Sequence, residues 1–191
     1  MSRPRILALS EWAHHSWFPR GQRASTEPAL AAANASLIAR FPRLSGLTSV
    51  ADIPLAATLP RPAYAKVLRV TAAFARACSL RKAVSAAARE RLAISIAPRI
   101  VHAVQRDPRG ERDDADLGAI LNLFDRGDMT AAGLCIAMHA LDDADLRILM
   151  ALRLPHTLAQ RAGHFVVGEL SVLAARDLLN AAYMLTRGEP C

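Results

Sequence analysis

The stretch PAYAKVLRVTAAFARAC, residues 62–78, decides the fold class. Its apolar side chains recur every three or four residues, which is the spacing of one face of an α-helix. These positions are Tyr64, Val67, Leu68, Thr71, Phe74, Ala75 and Cys78. Further helix-forming segments rich in Ala, Leu and Arg continue as far as Arg187, so we expect an all-α protein.

The chain's length and composition predict one compact domain. It has 191 residues, of which 52% are apolar, so it can bury a substantial core. Only 5% of the residues are aromatic and runs of β-branched residues are few, and this composition favours close-packed helices over a sheet. We expect an irregular N-terminal arm at residues 1–26 and a domain of about seven or eight helices at residues 27–191. The last of these helices are predicted at about 129–141 and 169–186.

Helix boundaries are predicted from capping and breaking residues. Thr26 is a candidate N-cap for a helix that ends at Arg40. Residues 42–62 contain four prolines and one glycine, which interrupt helices, and this predicts a connector. Ser79 is a candidate N-cap for another helix, Pro98 restarts the chain as a helix, and residues 107–110 predict a turn.

The segment DDADL occurs twice, at residues 113–117 and 142–146. Aspartates accept hydrogen bonds from free N–H groups and favour the positive end of the helix dipole, so both copies predict helix starts. Calcium is not expected, because the positions after the first copy lack the oxygen ligand and the turn glycine of an EF-hand. Gly127 and Gly188 predict helix stops.

Charge is unevenly distributed along the chain. The formal net charge is +7; residues 1–105 hold 15 Lys and Arg against four Asp and Glu, whereas residues 106–191 hold nine against 13. A basic half suits nucleic acid, anionic lipid or an acidic protein surface. Arg forms two-pronged pairs with carboxylates and phosphates. An Ala and Arg codon bias gives the same composition.

The cysteines and the hydropathy indicate a cytoplasmic location. Cys78, Cys135 and Cys191 are odd in number and far apart, which favours neither a disulfide framework nor a zinc site, and a reducing compartment is expected. No apolar run has the length of a signal-peptide core or of an uncharged membrane span. We expect no membrane insertion.

No catalytic set of residues is recognisable. Ser79 and Lys82 have the Ser-x-x-Lys spacing of acyl-transferring serine enzymes, but the companion Ser-Asp-Asn and Lys-Thr-Gly motifs are absent. No histidine has a second ligand on the same helix face, and no glycine loop precedes a Lys-Ser or Lys-Thr pair. We expect no enzymatic activity, no cofactor and no metal.

The N-terminal arm contains both tryptophans, in a cluster of aromatic residues: Trp12, His14, His15, Trp17 and Phe18. Two interpretations are open: the arm packs these side chains onto the helical body, or they form a partner-binding edge.

Three parts of the chain resemble one protein family. They are residues 79–84, SLRKAV, with the helical run that follows to Asp107; residues 152–155, LRLP; and the proline-rich connector with Leu59 and Pro60. These motifs and their order along the chain resemble those of the SctK/YscK family. Members of that family are cytosolic adaptors of the sorting platform in bacterial type III secretion systems. The resemblance covers about residues 59–158.

The resemblance implies a non-enzymatic adaptor in protein transport and virulence, peripheral to the inner-membrane secretion apparatus. Its partners would be the cytoplasmic domain of an inner-membrane ring protein (SctD-like) and a pod protein (SctQ-like) of the C-ring-like pods that carry the ATPase complex. The alternative is a helical nucleic-acid-binding regulator that uses the basic N-terminal half. The candidate partner contacts are Trp12, Trp17, Phe18, Arg69, Arg76, Arg81 and Arg89.

Overall fold

The computed structural model describes residues 9–18, 26–46, 53–83, 85–119 and 121–187. These residues form eleven α-helices and no strand, which confirms the all-α prediction; eight of the helices have seven residues or more. The helices are α1 Leu9–Trp12, α2 Glu27–Arg40, α3 Leu55–Thr58, α4 Arg61–Ala75, α5 Ala77–Lys82, α6 Ala86–Ile96, α7 Pro98–Arg106, α8 Arg126–His139, α9 Ala144–Leu152, α10 His156–Ala162 and α11 Val172–Thr186.

Helices α4 and α8 form the centre of the bundle. Both are buried over most of their length; α11 packs against both of them, and α10 packs against α8. The two helices come so close that a Cβ on Gly133 would lie 1.9 Å from the backbone oxygen of Leu68. Small residues, among them Ala73 and Ala132, have no exposed surface. The alanine-rich composition therefore allows close backbone packing instead of a thick layer of large side chains.

The predicted helix at residues 62–78 is interrupted. Helix α4 ends at Ala75, and α5 begins after Arg76, whose backbone has left the helical region. The prediction that Ser79 caps the following helix was wrong, because Ser79 lies inside α5. The N-cap of α6 is Ser85, whose hydroxyl accepts a hydrogen bond from the N–H of Ala88.

The two DDADL copies have different structures. Asp143 caps α9 by accepting a hydrogen bond from the N–H of Asp145, as predicted for residues 142–146. Residues 113–117 start no helix and have no regular secondary structure, so that prediction was wrong. The N–H of Ala115 is bonded instead to the carbonyl of Ala75 at the end of α4, at 2.9 Å. Tertiary contacts with α4 replace the local helix.

Other boundary predictions had mixed outcomes. Helix α2 ends at Arg40 as predicted, although the Thr26 side chain makes no capping hydrogen bond. Pro98 does begin α7, and residues 108–111 form a 3-10 turn. The stop predicted at Gly127 was wrong, because Gly127 lies in the first turn of α8, which Asp125 caps. The stop predicted at Gly188 lies outside the described residues.

The junction between α6 and α7 is a single residue. Ala97 is the C-cap of α6 and the N-cap of α7, with φ 84° and ψ 146°. This conformation is almost restricted to glycine, and an alanine that adopts it is strained. The following Pro98 favours the extended ψ. The junction turns the chain abruptly, so α6 and α7 form a hairpin.

Candidate binding surfaces

Both tryptophans of the N-terminal arm are hydrogen-bonded to the helical body. The indole N–H of Trp12 donates to the carbonyl of Leu149 at 2.7 Å, and that of Trp17 donates to the carbonyl of Leu154 at 2.8 Å. Phe18 is half-buried against the core. The arm therefore packs its tryptophans onto α9 and the turn that follows it, as the first interpretation expects, and partner binding by Trp12, Trp17 and Phe18 stays a prediction.

These contacts complete the C-terminal end of α9. The last four carbonyls of a helix have no partner within it. Besides the Trp12 indole on Leu149, the hydroxyl of Tyr64 donates to the carbonyl of Met150 at 3.3 Å, and the N–H of His14 donates to that of Leu152 at 2.7 Å. The carbonyl of Ala151 accepts from the N–H groups that follow it. All four carbonyls are satisfied.

Two arginines of the helical body also bind residues 11–17 of the arm. The guanidinium of Arg61 donates to the carbonyl of Ala13 at 2.6 Å, and to those of Trp12 and Glu11 at longer distances. The guanidinium of Arg153 lies 4.6 Å from the centre of the Trp12 ring, in cation–π geometry, and donates to the carbonyl of Leu59. The arm is thus anchored by specific contacts along residues 11–17.

Three of the four candidate arginines bind the protein's own backbone. Arg69 donates from Nε to the carbonyl of Ser95 at 2.9 Å. Arg76 donates to the carbonyl of Ala115 at 3.4 Å and pairs with Asp114. Arg81 donates to the carbonyls of Gln105 and Asp107 at 2.9 and 2.6 Å.

The side chain of Arg69 is largely buried, beside the end of α6. Burial and, to a smaller extent, the nearby charge of Arg126 together lower the pKa of Arg69 to about 10. Arg126 itself donates to the carbonyl of Ile94, so both cations face the carbonyl end of α6. Their contacts explain these residues structurally, and a role in partner binding stays a prediction for Arg69, Arg76 and Arg81.

Arg89, the fourth candidate, is exposed and belongs to what we name the basic hairpin surface. This surface comprises the exposed cations of α5, α6 and α7: Lys82, Arg89, Arg91, Arg99 and Arg106. Glu90 is the one acidic residue between positions 77 and 106. Helices α5, α6 and α7 thus expose five cations and one carboxylate, an excess of positive charge that suits an acidic partner.

A second surface, which we name the acidic groove, lies between the end of α4, the irregular residues 112–116 and the start of α11. Its volume is about 320 Å³. The floor is apolar, with Phe74 and Leu178 almost fully buried. The rim carries five carboxylates and two arginines: Asp113, Asp114, Asp116, Glu169 and Asp177 with Arg109 and Arg112. Negative charge therefore dominates the rim.

Sequence reasoning missed the groove as a site, although it singled out three of its residues. The first DDADL copy supplies Asp113, Asp114 and Asp116, which were assigned to a helix start. The partners on α4 and α11 are about 40 and 60 residues away in sequence, and no local pattern links them. The charge boundary after residue 105 was the available signal.

The structure shows the surroundings of Ser79 and Lys82, the pair with Ser-x-x-Lys spacing, and of the cysteine Cys135. The hydroxyl of Ser79 donates to Asp114, and Lys82 is exposed. Burial raises the pKa of the Cys135 thiol, which disfavours the reactive thiolate. No group of His, Cys, Asp and Glu within the described ranges has a geometry that could hold a metal ion. None of the helices in those ranges combines the length and apolar character of a membrane crossing.

Comparisons of this chain with protein-family models, with curated proteins and with solved structures found no match.

Proposed function

We propose that this protein is a non-enzymatic adaptor that holds two protein partners at separate surfaces. The observation that carries the proposal is the presence of two surfaces of opposite charge on different elements. The basic hairpin surface has five exposed cations, and the acidic groove has a rim of carboxylates over an apolar floor. Opposite charges select different partners and disfavour exchange between them.

The resemblance to the SctK/YscK family supports a more specific proposal. The protein would join the cytoplasmic domain of an inner-membrane ring protein (SctD-like) to a pod protein (SctQ-like) of a type III secretion sorting platform, in the cytoplasm beside the inner membrane. The residues that carry the resemblance include Arg81 in α5 and Arg153 after α9. Both bind backbone carbonyls of the body, which is the kind of role expected of residues that relatives share for a common fold.

The proposal is tested by co-purification of the tagged, full-length protein with candidate ring and pod proteins. We expect the wild type to retain both at once. The triple variant Arg89→Glu, Arg91→Glu, Arg106→Glu should lose one partner and keep the other, because several exposed charges must be reversed before binding fails. Glu27→Lys, an exposed charge reversal on α2, is the control. Wild-type protein that retains neither candidate, or only one, would contradict the adaptor proposal.

The basic hairpin surface also favours the alternative, a nucleic-acid-binding regulator. Cations on two adjacent helices could neutralise phosphates, and the affinity would then fall steeply as salt is raised. Binding of duplex DNA of arbitrary sequence, measured at several salt concentrations, distinguishes the two functions. Tight, salt-dependent binding by the wild type that the triple variant loses would favour the regulator.

A further inference from the structure

Next to the acidic groove, one face of α11 carries two large apolar side chains that the described part of the chain leaves exposed, Leu173 and Met184; we call this pair the α11 strip. Leu173 and Met184 are 73% and 65% exposed. They lie eleven residues apart, three turns along the helix, with Asp177 and Asn180 between them on the same face. Burial of these two side chains by a partner would contribute favourable free energy to binding.

Several carboxylates of the groove already have partners within the protein. Asp114 binds Ser79 and Arg76, and the Oδ1 atom of Asp116 accepts from the N–H of Gly118 at 2.9 Å. Asp177 accepts two hydrogen bonds from Arg109, at 2.7 and 3.1 Å. Asp113 and Glu169, in contrast, are exposed at the rim. These two are the carboxylates best placed to meet an external cation.

Arg109 shows how the groove accommodates a guanidinium. Its Cζ atom lies 5.2 Å from the centre of the Phe74 ring, while its N–H groups bind Asp107 and Asp177. The arrangement combines an aromatic face with carboxylates, which is the environment that arginine prefers at interfaces. Because Arg109 already occupies this combination, an external cation would meet the exposed carboxylates of Asp113 and Glu169 instead.

From these observations we infer that the groove and the α11 strip together bind a segment of a partner protein that presents a Lys or Arg beside apolar side chains. The cation would lie at the rim between Asp113 and Glu169, and the apolar side chains would lie on Leu173 and Met184. A volume of about 320 Å³ is near the lower end of ligand pockets, so it receives a few side chains and not a whole element. The inference rests on the proposed adaptor function and names the chemistry of one partner.

Charge complementarity favours this occupant over others. Phosphate groups of a nucleic acid or of an anionic lipid would be repelled by the rim. A small cation alone would leave the apolar strip uncovered, and the carboxylates here do not converge as metal ligands. A basic and apolar peptide segment satisfies both parts of the surface at once.

The test is selection of a displayed library of random dodecapeptides on the immobilised full-length protein. We expect enrichment of peptides with Lys or Arg next to Leu, Ile or Phe. A selected peptide should bind the rim variant Asp113→Lys, Glu169→Lys at least about fivefold more weakly, with a smaller salt dependence. The strip variant Leu173→Ser, Met184→Ser should weaken binding similarly without changing the salt dependence.

Matched controls lie on α6, where Glu90 is exposed and Ile94 is 64% exposed. Glu90→Lys and Ile94→Ser should leave peptide binding unchanged. No enrichment, enrichment without basic residues, or equal binding by the rim variant would overturn the inference. If the ring and pod proteins still co-purify in that case, the adaptor function stands alone. If peptides bind as expected but neither protein co-purifies, the groove stands and the adaptor proposal fails.

Discussion

The carboxylate of Asp114 accepts hydrogen bonds from both the backbone N–H and the hydroxyl of Ser79, 35 residues away in sequence. Ser79 is the third residue of α5, so its N–H is one of those that the helix itself leaves without a partner. Asp114 therefore caps α5 from a distant segment. An acidic group there also interacts favourably with the helix dipole.

Asp114→Asn should lower the free energy of unfolding by about 1–2 kcal/mol, because it removes a charged acceptor from a helix N-terminus and from Arg76. Asp113→Asn is the matched control: Asp113 is exposed, and we expect a change within about 0.5 kcal/mol. Urea unfolding measures both. A double-mutant cycle with Ser79→Ala should show coupling through the hydroxyl, and additive effects would exclude the hydrogen bond between that hydroxyl and the carboxylate of Asp114.

This contact shows what the sequence could and could not predict. That aspartates of the DDADL segment cap helix N–H groups was predictable from chemistry, and Asp143 does so locally. Which helix Asp114 caps was not predictable, because the choice depends on how residues 113–117 pack on the end of α4. Helical periodicity identified the all-α class, whereas tertiary contacts decided the individual boundaries.

The close approach of α4 and α8 makes Gly133 sensitive to any side chain. A Cβ there would meet the carbonyl group of Leu68 at 1.9 Å, so Gly133→Ala must push the two central helices apart. We expect a loss of about 3 kcal/mol in the free energy of unfolding despite the better helix propensity of alanine. At Gly163 a Cβ would approach only the carbonyl oxygen of Gln160, at 3.3 Å. Gly163→Ala, measured by the same thermal or urea unfolding, should therefore change stability by less than about 0.5 kcal/mol.

Ala97 offers the opposite case, a substitution that stabilises. Its φ of 84° costs an alanine about 1–3 kcal/mol, and glycine adopts this conformation freely. After the entropy that glycine adds to the unfolded chain, Ala97→Gly should raise the free energy of unfolding by about 1 kcal/mol. Ala93→Gly, within α6, should lower it by about 1 kcal/mol. If Ala97→Gly lowered the free energy of unfolding as much as Ala93→Gly does, Ala97 would be shown to be unstrained.

Replacing Trp12 by phenylalanine separates the two interpretations of the aromatic arm. Trp12→Phe keeps a six-membered aromatic ring but removes the pyrrole part of the indole with the N–H that satisfies the carbonyl of Leu149, so we expect a loss of about 1–2 kcal/mol in the free energy of unfolding. Phe124→Leu, at an exposed turn, is the control with little effect. If Trp12→Phe instead abolished partner co-purification at unchanged stability, the arm would be a binding edge.

For the candidate partner-binding residues too, the sequence identified the residues but not their contacts. Trp12, Trp17, Arg69, Arg76 and Arg81 stand out in the sequence because they are large or charged among alanines, yet each contacts a backbone carbonyl. In a chain with many helix ends, arginine and tryptophan donors satisfy carbonyls that small residues cannot reach. Composition alone does not separate such structural donors from exposed contacts.

The arm also predicts a dependence of stability on pH. Burial lowers the pKa of His14 below its ordinary value of 6.5, and the charges of His15 and Arg61 lower it further. Its unprotonated Nδ1 accepts from the N–H of Ser16 at 3.2 Å. Below pH 6.5 the unfolded chain binds a proton at His14 that the folded protein does not. The free energy of unfolding therefore decreases as the pH is lowered from 6.5 to the pKa of His14 in the folded protein.

His14→Asn should reduce this pH dependence, because an asparagine oxygen can accept the same hydrogen bond and does not titrate. At about pH 8 we expect the variant and the wild type to unfold at nearly the same urea concentration, and at about pH 5 we expect the variant to be the more stable. His156, whose pKa is lowered by burial and by Arg40, contributes a dependence of the same sign that the variant retains. Urea unfolding followed by tryptophan fluorescence at both pH values measures the difference, and identical pH profiles would exclude His14 as its source.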